Sequence, residues 1–217
     1  MPVKISIPGG FFEEEEHRYT DVAGKRILSV TQVFAMLGLV DYDHIKREVL
    51  ERKSAIGVAV HRAVELLCEG PEVLDWNTVD EAAIPYVVGI EEWIRKSGFV
   101  SDEREQRGIM TLNGMQCGFQ FDHKGRMPYR GKERRVILDL KTCVSVSPTW
   151  PLQTAAYALS QPKLPPGERY LRVVLQAGAD GRCTPFFFED REDENAFQYM
   201  LYCAIWKLNH AYELEAA

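Results

Sequence analysis

Two aspartates and a lysine are the residues of this chain most able to do chemistry together. In the stretch RRVILDLKTC, residues 134–143, Asp139 and Lys141 break an otherwise apolar run two positions apart. If that run is a strand, alternation puts Asp139 and Lys141 on one face while Leu138 and Leu140 point the other way, into a core. Asp122 ends an earlier strand-like stretch, CGFQFD, seventeen positions before Asp139. The turn-rich connection HKGRMPYRGKE would let the two acids sit on adjacent strands of a hairpin and converge at one end. Two carboxylates beside a lysine make a hard-oxygen site for Mg²⁺ or Mn²⁺, with the lysine placed to polarise a water or stabilise developing negative charge. That combination is suited to phosphodiester hydrolysis. Taken alone, an Asp-x-Lys pair is more often a solvated edge or a surface salt bridge.

Other residues with the right chemistry lie on either side. In GVAVHRAVELL, Gly57, His61 and Glu65 follow one another at i, i+4 spacing, so they share a helix face, with the glycine allowing close approach of another element. His61 could supply a nitrogen ligand and Glu65 a further acid, although both also suit an ordinary helix surface or interior. Downstream, Gln153 and Tyr157 in LQTAAYA are again i, i+4. An amide and a phenol on one face can hold a phosphate oxygen or fix the lysine; equally, Tyr157 can be core with Gln153 as its polar neighbour. Glu105, in DEREQRG, is a possible further acid of the site, and Glu103 is nearly as good a choice. Basic residues cluster at Lys124, Arg126, Arg130, Lys132, Arg134 and Arg135, and at Arg52, Lys53 and Arg62, with Trp150 and Tyr129 available for stacking on bases.

The elements that must position these groups read as helices, then strands, then a hairpin and a last helix. SVTQVFAMLG gives a helix with Ser29 or Thr31 at its start and Gly38 at its stop, followed by a long helix from about Asp43 to Glu69. A third helix runs from about Thr78 to Ser97, with Pro85 either kinking it or marking a later start. Phe99 to Thr142 reads as several strands, PTWPLQTAAYALS as a helix, and RYLRVVLQAGADGRCTPFFFED as two strands about a Gly-Ala-Asp-Gly turn. The last helix, about Glu192 to Tyr212, carries Phe197, Leu201, Ile205 and Leu208 as its buried stripe. The expected fold is α/β: a central mixed sheet flanked by helices, with an N-terminal helical extension. One domain over 1–217 is expected, its helical flank at about 29–98 and its catalytic sheet and helices at about 99–217.

At 217 residues and 46% hydrophobic content, one domain with a sizeable core is affordable. A formal net charge of −6 argues against coating nucleic acid or an acidic membrane by bulk attraction, while leaving local basic patches open. The five cysteines are scattered, odd in number and without a CxxC pair, which suggests neither a disulfide framework nor a zinc knuckle and fits a reducing compartment. The N-terminus carries four consecutive glutamates and no apolar leader, and no apolar run reaches membrane-spanning length, so a soluble, unexported, cytoplasmic protein without membrane partners is expected.

Taken in order, G-x3-H-x3-E, G-x3-D, D-L-K-T and Q-x3-Y resemble the PD-(D/E)XK nuclease superfamily, in particular its RecB-like exonuclease branch. The residues carrying the resemblance are Gly57, His61, Glu65, Gly118, Asp122, Asp139, Leu140, Lys141, Thr142, Gln153 and Tyr157. ILSVTQVFAMLGL, ahead of the His61 helix, is similar to the opening of phage-type members and of the mitochondrial genome maintenance exonuclease. The resemblance implies a restriction-endonuclease-like core. It implies a Mg²⁺ or Mn²⁺ site built from His61, Asp122, Asp139 and the Leu140 carbonyl, with Asp122, Asp139 and Lys141 catalytic and Gln153 and Tyr157 placing DNA and the lysine. The implied activity is a DNA exonuclease acting on single strands or free ends and leaving a 5′-phosphate and a 3′-hydroxyl, in recombination, repair or replication. Proteins of those processes are its implied partners, and host cytoplasm its implied location if the chain is phage-encoded. Iron-sulfur members of the branch use an upstream cysteine and a tight C-terminal cysteine cluster; here Cys183 and Cys203 stand alone, so no cluster is expected. The alternatives are an endonuclease of the same fold, a non-catalytic DNA-binding module, and a metal-dependent hydrolase acting on another substrate.

Overall fold

The computed structural model describes residues 3–40, 46–70 and 72–210. Its central feature is a five-stranded mixed sheet in the order β5-β6-β7-β8-β9, formed by Val100–Leu112, Met115–Tyr129, Lys132–Lys141, Leu171–Ala177 and Cys183–Phe188. β5, β6 and β7 make two successive hairpins, and each turn has the dipeptide that such a tight connection needs. Asn113-Gly114 has φ of 51° and 80°, and Arg130-Gly131 has 49° and 77°, the two consecutive positive values of a hairpin turn matched to strand twist. β7 then pairs in parallel with β8, which requires a crossover; α4 (Trp150–Leu159) supplies it, and β9 returns antiparallel to β8.

Helices cover both faces of this sheet. On one face α2 (Arg47–Glu69) and α3 (Ile84–Ser97) bury Val60, Val64, Val87 and Ile90 against Val136, Leu138, Leu140, Val173 and Leu175. On the other, α1 (Val30–Met36), α4 and α5 (Glu192–Asn209) pack Val33, Phe34, Ala156, Phe197 and Leu201 against Phe121 and Ile137. The continuous apolar run of β7 follows from being covered on both sides. Alternation alone suggests one core face and one charged face; instead Asp139 is as enclosed as its leucine neighbours, at 2% exposure.

The helices open and close on the expected chemistry with one shift. Ser29 caps α1 in a reciprocal capping box with Gln32, and Gly98, at φ 68°, ends α3. Pro85 marks a later start rather than a kink: it occupies the first turn of α3, where its missing N–H costs no helical bond, and Thr78 lies instead in a separate single turn. The expected start of α2 near Asp43 falls outside the described residues.

Two strand readings are corrected. The N-terminal segment is not a plain lead-in to helices: Lys4–Ile7, Gly10–Glu13, Arg18–Asp21 and Arg26–Ile27 form an antiparallel meander, β1 to β4. Its small core is Phe12, Tyr19 and Ile27, and Glu13 is buried in ion pairs with Lys4 and Arg18. The connection after Asp122 is not turn-rich either. HKGRMPY continues β6 in register with β7, because its glycine sits where the backbone of Val100 approaches and its proline falls near the strand end. The hairpin turn is only Arg130-Gly131, which leaves Asp122 in mid-strand.

Candidate active site

Asp122 and Asp139 meet where β6 and β7 part. The ladder between these strands runs from Tyr129↔Lys132 to His123↔Leu138, and the next residue on each strand is one of the two aspartates. There a carboxylate takes over from the backbone: Asp122 Oδ2 accepts the N–H of Leu140 at 2.6 Å. The other oxygen, Oδ1, is 3.3 Å from His61 Nδ1. His61 reaches it from the α2 face, one helical turn beyond Gly57, whose absent side chain leaves that face in contact range of Thr142 Oγ1 at the end of β7.

β5 supplies the third acid. Arg104↔His123 and Gln106↔Phe121 are paired, so Glu105 stands opposite Asp122, and its Oε1 is 3.7 Å from His61 Nδ1. Glu105 holds φ at +46°, a left-handed conformation that costs a residue with a Cβ and is stored where surrounding structure enforces it. One donor atom each from His61, Glu105 and Asp122 lie within 4.8 Å of one another. Glu103, the competing choice, is tied to Lys124 at 2.5 Å, and Glu65 is paired with Arg62. Neither belongs to this group.

Asp139 and Lys141 form the second half of the site. Lys141 Nζ lies 2.6 Å from Asp139 Oδ2, an ion pair made at a buried carboxylate. Behind them Gln153 Nε2 donates to the Tyr157 hydroxyl at 2.7 Å; both side chains are buried, at 8% and 5% exposure, and satisfy each other inside the α4 layer. Leu140, itself buried, contributes its N–H to Asp122.

Burial and charge act against each other at every group. Burial alone would raise Asp122, but His61, Lys141 and the Leu140 N–H outweigh it and hold the carboxyl below its usual range. Burial dominates at Asp139 and, with the Asp122 charge, pushes its proton affinity up despite Lys141. His61 is pulled down by burial and lifted further by Asp122 and Glu105, ending at about 10; Lys141 is likewise lifted above its ordinary value by Asp139 and Asp122. Both bases are therefore protonated at neutral pH, and two cations stand among three carboxylates. The His61 imidazole nitrogen with the Glu105 and Asp122 carboxylates is a donor set that fits a hard divalent cation, with Asp139 beside it and His61 giving up its proton to ligate.

Sequence spacing did not single out the residues that hold Glu105. Gln120 Nε2 donates to Glu105 Oε2 at 2.7 Å, and Arg107 holds Gln120 Oε1 through Nε and Nη2 at 2.9 and 2.8 Å. The Arg107 guanidinium lies 3.9 Å over the Phe12 ring, so the N-terminal sheet backs this chain of bonds. Period-two spacing was the available signal: Arg107 follows Glu105 and Gln120 precedes Asp122 by two positions on paired strands. Gly118 serves the same contact, since a Cβ there would overlap the Tyr19 ring.

The nucleic-acid features expected from sequence are placed differently. Lys124, Arg126, Arg130, Arg134 and Arg135 are all engaged with Asp102, Glu103 or Glu189. Trp150 is buried edge-on against Phe186, and Tyr129 is stacked on Phe187 beside the β6–β7 turn, so neither faces the site.

No family model matches this chain, and no curated protein matches it. Solved structures with related shape include SSO0001, 14% identical over 70% of this chain and 74% of that one, with a TM-score of 0.37. Another is described as a "Putative exonuclease" from Eubacterium rectale, 12% identical over 86% of this chain and 75% of that one, with a TM-score of 0.43. No helix among the described residues is long and apolar enough to cross a membrane.

Proposed function

We propose that this protein is a divalent-metal-dependent nuclease that hydrolyses DNA phosphodiester bonds, acting on single strands or free ends. The observation that carries the reading is the convergence, at the point where β6 and β7 separate, of the His61, Glu105 and Asp122 donors with the Asp139–Lys141 pair. His61 Nδ1, Glu105, Asp122 and Asp139, with the Leu140 carbonyl, would hold Mg²⁺ or Mn²⁺. Such an ion neutralises phosphate charge and makes a water more acidic.

The chain's own groups do the rest. Lys141, protonated at neutral pH, acts as a fixed cation rather than a base: it offers N–H bonds to the attacking water and to a phosphate oxygen as charge builds there. Asp139 holds that ammonium in place, and Gln153 with Tyr157 backs the strand end that carries both. Five elements, β5, β6, β7, α2 and α4, fix these groups, which is the rigidity that in-line attack on phosphorus demands.

Digestion of end-labelled linear single-stranded and duplex DNA beside closed circles, with Mg²⁺, Mn²⁺ or EDTA, tests this. Linear DNA should disappear only with metal, circles should survive, and Lys141→Ala should lower kcat by about 100-fold or more. Cutting of circles would assign an endonuclease instead. Wild-type protein that leaves every DNA intact in either metal would end the catalytic reading.

A further inference from the structure

The basic residues around the β6–β7 hairpin are engaged in ion pairs except for Lys132, whereas two cations without ion pairs among the described residues stand on α2, the helix that carries His61. Between α2 and α3 is a cleft of about 470 Å³, lined by Val49, Arg52, Lys53, Ile56, Tyr86 and Thr142, with Glu48 as the one acid of its lining. On the same helix Arg47 and Arg62 are tied to Glu51 and Glu65, whereas Arg52 and Lys53 are exposed and make no ion pair among the described residues. The cleft adjoins the end of β7 that carries Lys141. Thr142 follows Lys141 directly, and Lys53, Gly57 and His61 run along one face of α2, placing Lys53 about 12 Å along the axis from His61 at 1.5 Å per residue.

We propose that this cleft seats one strand of nucleic acid beside the bond to be cleaved. Arg52 and Lys53 bind its backbone phosphates, and Tyr86, with Val49 and Ile56, gives an apolar surface for a base. The occupant follows from the lining: two cations free of ion pairs, facing a single acid, call for a polyanion, and an aromatic ring on an apolar wall suits a base face. The volume falls within the range of small-ligand sites, roughly 300–1,000 Å³, which has room for a nucleotide rather than a base-paired duplex. This rests on the phosphodiesterase reading above and adds where the substrate strand runs.

Anisotropy of a labelled single-stranded oligodeoxynucleotide, titrated in Mg²⁺ at several salt concentrations, tests it on a Lys141→Ala background so that the strand persists. Arg52→Glu with Lys53→Glu should weaken binding about tenfold or more and make the log–log salt slope shallower by about 1.4, which is about 0.7 for each phosphate left without its cation. Tyr86→Leu should weaken binding severalfold and leave the slope alone. Lys132→Glu, at the far end of β7, should change neither. A charge-reversed protein with wild-type circular dichroism and melting, yet wild-type affinity and slope, overturns the proposal. If the otherwise wild-type enzyme cleaves DNA and the charge reversal leaves its KM untouched, the cleft falls and the nuclease reading stands. If the charge reversal abolishes binding while the enzyme with Lys141 intact cleaves nothing, the strand site stands and the nuclease reading falls. Absence of any binding, together with absence of cleavage by the enzyme with Lys141 intact, sinks both.

Discussion

Lys141 and His61 carry the positive charges among three carboxylates, and they respond differently to a bound cation. Lys141 keeps its proton in either state, whereas His61 must lose one to ligate. In metal-free protein its folded pKa, about 10, lies above the ordinary 6.5, so its stabilising effect is fully present below pH 6.5 and is lost as pH rises toward 10. Because its side chain is 29% exposed, solvent screening limits that effect to on the order of a few kcal/mol. Melting in EDTA should therefore show Tm falling across that window, and His61→Gln should flatten the decline; a His61→Gln profile that matches wild type would show that the imidazole carries no proton among the acids. Metal preference belongs to the same residue. Imidazole favours Mn²⁺ over Mg²⁺ relative to an all-oxygen site, so His61→Asp should move the ratio of Mn²⁺ to Mg²⁺ affinity toward Mg²⁺, read by competition calorimetry.

Strand elements decide how firmly Glu105 is held, and here the sequence is only partly legible. The i, i+4 spacings of His61 and of Gln153 with Tyr157, and the alternation around Asp139, announced helix faces and a strand, and the structure has them. The choice of Glu105 over Glu103 was not readable, because it depends on one residue held at φ +46°. Nor was the N-terminal sheet: its strands of four residues or fewer include a buried glutamate whose two cationic partners come from neighbouring strands, so hydrophobic periodicity is weak. The Arg107–Gln120–Glu105 chain converts that sheet into support for the site. Gln120→Ala should leave the fold intact and weaken divalent-ion binding about 10-fold, measured by calorimetry, since outer partners of metal ligands typically contribute 10- to 100-fold. Gly118→Ala acts one layer further out: its Cβ displaces Tyr19, and the overpacking should cost about 1–3 kcal/mol in denaturant unfolding.

Across the whole molecule, a net charge of −6 and a proposed polyanionic substrate are compatible where cations without ion pairs stand close to the site. Beside the site, Arg52 and Lys53 of the α2–α3 cleft make no ion pair among the described residues and would give a strand a local attraction that the net charge does not. The same scale decides whether two sheets make one folding unit. The N-terminal meander buries only Phe12, Tyr19 and Ile27 as its own core, too little to stand by itself. It is stitched to β5 and β6 instead: Ile109 N–H donates to Pro8 O and Gly118 N–H to Leu28 O, each at 2.9 Å, and the Tyr19 hydroxyl donates to Phe119 O at 3.2 Å. Separating the sheets would strand these backbone groups and unseat Arg107 from Phe12. Scanning calorimetry should accordingly give one transition whose van't Hoff and calorimetric enthalpies agree, the signature of a cooperative unit. A smaller early transition, abolished by removing residues 1–27, would instead show the meander melting alone, and divalent-ion binding would then be expected to weaken over that first transition, as Glu105 loses the bonds that hold it.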